Sequence, residues 1–116
     1  KIKQFIKEGV HINQPDPYGN TSLFACAKHG YVELAKIFLR EGADTNCENR
    51  NGNTALMVAA RFGKHEMVKL LLDHGADVLH QSYIDETALD IAKEKGRLFT
   101  LQLIQEATDK ANAAKK

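Results

Sequence analysis

Gly52-Asn53-Thr54-Ala55-Leu56-Met57-Val58-Ala59-Ala60-Arg61-Phe62-Gly63 and the continuation Lys64-His65-Glu66-Met67-Val68-Lys69-Leu70-Leu71-Leu72-Asp73-His74-Gly75 decide how this chain is read. Thr54 stands where a helix N-cap belongs, because its hydroxyl can accept from an amide that the first turn leaves unpaired. Leu56, Val58, Ala59 and Ala60 give the short helix that follows its apolar residues, and Gly63 stops it. From His65 to His74 a second helix is predicted. Met67, Val68, Leu70, Leu71 and Leu72 fill a wide apolar stripe on it, with Lys69 turned outward. Gly75 closes this helix in the left-handed conformation that a side chain would penalise. Ala76-Asp77-Val78 then leads into a polar loop, and the loop one unit earlier carries Asn51-Gly52, a tight-turn pair. The unit is helix, turn, helix, projecting hairpin.

Working outward, a shift of 33 positions lays Gly19 on Gly52, Thr21 on Thr54 and Thr87, Leu23 on Leu56 and Leu89, and Gly30 on Gly63 and Gly96. The same shift aligns Gly9, Gly42 and Gly75. It also repeats Gly42-Ala43-Asp44 as Gly75-Ala76-Asp77, and Glu33 with Lys36 as Glu66 with Lys69. A fixed period of this length marks a stacked architecture in which each unit buries its apolar face against its neighbours. The register places Leu56 and Leu89 in one buried slot.

The composition agrees with such a stack. The chain has 116 residues, 43% hydrophobic and 27% charged, with no tryptophan, so its core must come from Leu, Ile, Val and Ala. A formal charge of +1 creates no field that would draw DNA, RNA or anionic lipid, and nucleic acid is not expected as a partner. Apolar runs such as Met57 to Ala60 and Leu70 to Leu72 fall far short of the roughly 20 residues a membrane span needs, so no membrane insertion is expected. Cys26 and Cys47 lack metal-type spacing and are too few for a secreted disulfide scaffold, which favours an intracellular setting, cytoplasmic or nuclear.

The repeated motif resembles the ankyrin-repeat family over nearly the whole chain. The family pattern of Gly, any residue, Thr-Pro-Leu-His, any residue, Ala-Ala is matched by Gly19-Asn20-Thr21-Ser22-Leu23-Phe24-Ala25-Cys26-Ala27. It recurs at Gly52 to Ala60 and, more weakly, as Asp85-Glu86-Thr87-Ala88-Leu89-Asp90-Ile91-Ala92-Lys93. The resemblance implies an all-α solenoid of stacked helix-turn-helix units with projecting β-hairpin loops. It also implies a non-catalytic module for protein–protein interaction, monomeric as a domain and without a cofactor.

The departures from the pattern set further expectations. Ser22, Ala55 and Ala88 fill the Pro slot, and Phe24, Met57 and Asp90 the His slot, so the inter-repeat hydrogen bonds usual for the family's Thr and His are expected to be missing, with ordinary stability as the result. Residues 1–15 match only the second half of a repeat, Lys3 lying over Lys36, Ile6 over Leu39, Gly9 over Gly42 and Asn13 over Asn46, as expected of a fragment whose upstream helix or repeats are cut away. Repeats are assigned to 16–48 and 49–81, and a C-terminal capping repeat to 82–110. In that last repeat Gln105 replaces the inward Leu39 and Leu72, and Thr108 replaces the terminating Gly. The stretch from Thr108 to Lys116, rich in Ala and Lys, is read as a helix extension that frays into solvent, with residues 111–116 as the frayed tail.

No catalytic or metal constellation emerges. His11, His29, His65, His74 and His80 form no i,i+4 pair on a common helix, and His74 and His80 read as a helix-end cation and a loop histidine. Cys26 takes a tightly packed Ala position, and Cys47, at the hairpin stem, has no basic sequence neighbour to activate it. The Gly-Ala-Asp glycines are helix stops, not a phosphate cradle.

Information about a partner must then lie in exposed slots. In ankyrin proteins these are the hairpin tips and the exposed residues of each first helix, which line a concave strip. By that resemblance the partner would meet Tyr18, Lys28 and His29 in the first full repeat, Arg50, Asn51, Arg61 and Phe62 in the second, and Tyr83, Ile84 and Lys95 in the third. Tyr18, Arg50, Arg61, Phe62 and Tyr83 are of the residue types that carry interface energy. The alternative for the aromatics is local packing: Tyr18 and Tyr83 against a neighbouring hairpin, Phe62 against the next repeat. Lys28 and Arg61, one repeat apart, suit an acidic or phosphorylated segment, while Glu86 and Glu94 reverse the sign further on. Asn46, in Gly42-Ala43-Asp44-Thr45-Asn46, resembles sites of intracellular asparaginyl hydroxylation in the family. The partner is another protein or, in the second reading, another domain of a larger protein onto which the repeats dock.

Overall fold

The computed structural model describes residues 21–114. Among the described residues six helices follow one another: α1 Ser22–His29, α2 Val32–Arg40, α3 Ala55–Arg61, α4 His65–Asp73, α5 Ala88–Lys95 and α6 Leu98–Ala114. Each of the short helices α1, α3 and α5 starts after a threonine in extended conformation, Thr21, Thr54 and Thr87, so the three threonines share one backbone setting. The short helices lie side by side as an inner row, and the longer α2, α4 and α6 pack behind them as an outer row. The architecture is the expected helical solenoid.

The core runs between the rows. Leu56, Met57, Ala59 and Ala60 on α3 meet Met67, Val68 and Leu71 on α4, all sealed from solvent. Small residues at the equivalent positions Cys26, Ala59 and Ala92 are buried to the same degree, which lets the inner helices approach closely. At the third unit the packing thins. Leu89 is only half-buried, whereas its counterparts Leu23 and Leu56 are fully buried. The equivalence in burial expected for Leu56 and Leu89 therefore fails.

The loops carry hairpin-type turns without strands among the described residues. Asn49 N–H donates to the Asn53 carbonyl at 2.9 Å and Gly52 N–H to Asn49 at 3.0 Å. Ser82 to Glu86 and Asp85 to Ser82 repeat the arrangement at 2.9 Å each. One such turn per loop is too short to propagate a ladder. The loops are nevertheless tied to one another: Tyr83 N–H donates to the Asn51 carbonyl at 3.1 Å. Gly52, with φ +76°, lies so close beneath Tyr83 that a Cβ there would come within 2.6 Å of the ring.

Side-chain hydrogen bonds act both within and between units. Within a unit, Thr54 Oγ1 accepts from Met57 N–H at 3.4 Å, and Thr87 Oγ1 accepts from Asp90 N–H at 3.2 Å while the Asp90 carboxylate accepts from Thr87 N–H at 3.0 Å. Between units, Asn46 Oδ1 accepts from Asp77 N–H at 2.7 Å, and Asn46 Nδ2 donates to the Gly75 carbonyl at 3.2 Å. His80 Nε2 lies 2.8 Å from a Glu48 carboxylate oxygen and 2.9 Å from the Gly52 carbonyl. Both are acceptors, so Nε2 carries the hydrogen. His80 is thus an inter-loop clamp rather than a bystander.

At the C-terminal end α6 runs through Ala114, so the stretch read as a helix extension is helical as far as Ala114, and Ala111 packs against the core. The cause is Thr108 in the slot of Gly42 and Gly75: buried, with its hydroxyl donating to the Ile104 carbonyl at 2.7 Å, it continues the helix where glycine would end it. Residues 1–15, with Lys3, Ile6, Gly9 and Asn13, lie outside the described residues, as do 115–116.

Candidate functional site

The exposed residues of the inner helices and loop tips gather around two depressions. The larger, of about 410 Å³, lies between α1 and α3 and is lined by Thr21, Phe24, Ala25, Lys28, His29, Val58 and Phe62. It exists because α1 presents Ala25 where α3 presents Val58 and α5 presents Ile91. Ile91 is buried, Val58 half-buried and Ala25 exposed, so the side chains shorten along the row until a notch opens. Its rim is basic and aromatic. Lys28 Nζ sits 5.9 Å from the centroid of the Phe62 ring, a cation–π arrangement at the edge of its useful range. The His29 ring stacks on Tyr31, centroids 5.3 Å apart, which holds the imidazole at the surface.

The second depression, of about 270 Å³, lies between the loops of the second and third units. Asn51, Asn53, Arg61, Ser82, Tyr83, Ile84 and Glu86 line it. Arg61 does not project beside Lys28 as an open cation; it reaches the Glu86 carboxylate at 3.7 Å. Tyr83 combines both readings of it. Its ring leans on Gly52, yet 68% of the residue remains exposed, next to Ile84 at 74%. Phe62 likewise packs beneath Lys28 of the preceding unit while staying 40% exposed.

The structure thus brings together Lys28, His29 and Phe62 in one hollow and Asn51, Arg61, Tyr83 and Ile84 in another. Arg50 is exposed at its loop tip and lines neither. Lys95 is exposed at the end of α5, 3.7 Å from Glu94, and also lines neither. Tyr18 lies outside the described residues. Sequence reasoning missed Ala25 and Val58, although comparing Ala25, Val58 and Ile91 across the period would have revealed the notch. It also missed Leu98 and Phe99, which stand 77% and 76% exposed on the outer row, in slots held by His65 and Glu66 one unit earlier.

Neither thiol is set up as a nucleophile. Burial pushes the Cys26 thiol up to about 11. Cys47 is raised by burial first and then by the charges of Asp44 and Glu48, so both sulfurs are held protonated near neutral pH. Among the described residues no helix is long and apolar enough to cross a membrane.

A family model described as ankyrin repeats in three copies matches residues 1–82 and again residues 33–114. No curated protein matches the sequence.

Proposed function

The chain belongs to the ankyrin-repeat family, whose members are generally protein–protein interaction modules and typically non-catalytic, and from that premise we propose that it binds a partner protein through its loop tips and the inner-row face. The observation that carries this reading is the convergence of Lys28, His29 and Phe62 around one notch, with Tyr83 and Ile84 exposed beside a second on the same row of loops and helices. Aromatic and basic residues flanking apolar hollows are what interface hot spots are made of. The setting proposed is intracellular, and the domain acts as a monomer. Asn46 is part of the proposal as a hydroxylation acceptor, an exposed residue on a loop whose amide also bridges two units. A one-oxygen mass increase at Asn46 in protein from cells is expected, and its absence removes that element.

The test compares two affinity columns, one with the wild-type chain and one with Arg61→Ala/Phe62→Ala/Tyr83→Ala. Proteins retained by the first and lost from the second are the expected result; identical sets on both would refute the inner-face assignment. A second reading, docking onto another domain of a larger protein, is favoured by exposed Leu98 and Phe99, which lie on the outer row, away from that face. Leu98→Ser/Phe99→Ser would then impair the full-length protein and leave partner capture intact.

A further inference from the structure

Resting on the reading of the inner row as the partner surface, we infer that the notch over Ala25 seats an aliphatic side chain of an acidic peptide segment, whose flanking carboxylates meet Lys28. The notch has the chemistry for the first half of this. Phe24, Val58 and Phe62 supply apolar walls, and the exposed methyl of Ala25 leaves open the space that a valine and an isoleucine fill in the next two units. An aliphatic group entering there removes apolar surface on both sides from water without displacing any packed residue.

Charge complementarity supplies the second half. Lys28, Arg61 and Glu94 occupy one slot in successive units. Arg61 is engaged by Glu86 and Glu94 by Lys95, both at 3.7 Å. Lys28 has only the Phe62 ring beneath it, and among the described residues no carboxylate lies within ion-pair distance. The described acid nearest in sequence, Glu33, pairs with Lys36 at 3.1 Å, and Glu48 is engaged by His80 at 2.8 Å. Among the described residues no acidic one lines the notch, and His29, stacked on Tyr31, adds a polar group of its own. A basic segment would find only a like charge there. An acidic one completes the ion pair that the described residues leave unmade, over a ring that excludes water from one side of it.

The test selects binders from a random-peptide phage library on the whole chain, then titrates the synthesised winners by fluorescence anisotropy against wild type, Ala25→Leu, Lys28→Gln and Lys28→Glu. Enrichment of Leu, Ile or Val flanked by Asp or Glu is expected. Ala25→Leu fills the notch and should weaken binding more than about tenfold, which is about 1.4 kcal/mol. Lys28→Gln should cost up to about fivefold, as for a partly exposed ion pair, Lys28→Glu more, and added salt should erode the wild-type affinity. Ala25 is exposed and leucine is a good helix former, so the variant should keep the wild-type melting curve. Should it not, the Lys28 variants, changed at an exposed position, carry the test alone. Winners that are neutral or basic but still lost on Ala25→Leu overturn the acidic chemistry and leave the inner-face reading standing. Winners indifferent to both positions but lost on Tyr83→Ala overturn the notch, and winners indifferent to these and to Arg61→Ala take the inner-face reading down with it. A library that yields no enriched peptide also counts against the proposal.

Discussion

Leu56 and Leu89 hold the same place in consecutive units, yet the first is sealed and the second half-open. The units around them diverge in the same sense. The second caps α3 with a methionine sulfur, 3.4 Å from Thr54 N–H, where the third caps α5 with the Asp90 carboxylate. It turns its loop on Gly52, where the third uses Asp85 at φ +62°. It ends α4 before Gly75, where the third runs on through Thr108, with Gln105 donating to Asp109 at 3.0 Å beside it. The second unit, between the inner helices of the first and third, is apolar and tightly packed, whereas the third trades packing for polar local contacts.

The difference can be broken by substitution at matched slots. Leu56→Ala should lower the unfolding free energy by about 2 to 5 kcal/mol, and Leu89→Ala by about half as much, read from urea titrations. Equal losses would show the two units to be energetically alike. Gly52→Ala places a methyl group in a left-handed backbone and within 3 Å of the Tyr83 amide nitrogen, and should cost at least about 2 kcal/mol in the same titration. The matched change in the third unit has the opposite sign. Asp85→Gly relieves the strained residue and should stabilise by about 0.5 to 1 kcal/mol.

The smallest effect sharpens the comparison with the first unit, where Cys26 stands in the slot of Ala59 and Ala92. Burial raises the Cys26 thiol from 9.0 to about 11, so the folded chain holds that proton more tightly than the unfolded chain. Its contribution is complete below pH 9 and is lost as the pH climbs toward 11. Stability should decline across that window, and Cys26→Ala should flatten the decline.

Most of the fold was legible because the signals are local. Threonine before each inner helix, glycine after it, and Met67, Val68 and Leu71 on one stripe declare their roles through backbone and near-neighbour contacts. The C-terminal helix extension was legible in the Ala- and Lys-rich residues after Thr108, but its length to Ala114 and the bond of the Thr108 hydroxyl back to Ile104 were not. At the candidate site, exposure was legible for Arg50, Tyr83 and Ile84, since core slots had claimed the other positions. Which of them would converge was not, and His80, read as a loop residue, joins Glu48 to Gly52.

By itself, the sequence determined the period, the helix pairs and the apolar stripe between them, because caps, turns and amphipathic spacing act over a few residues. Only the tertiary structure decided which charges are left over. Lys28 and Arg61 are both surface cations in one repeating slot, and neither spacing nor composition distinguishes them. Arg61 lies within reach of Glu86 from the next loop, while among the described residues Lys28 has no carboxylate in reach and lies over an aromatic ring. Ion pairing falls off within a few ångströms, so it depends on where distant parts of the chain are brought to rest.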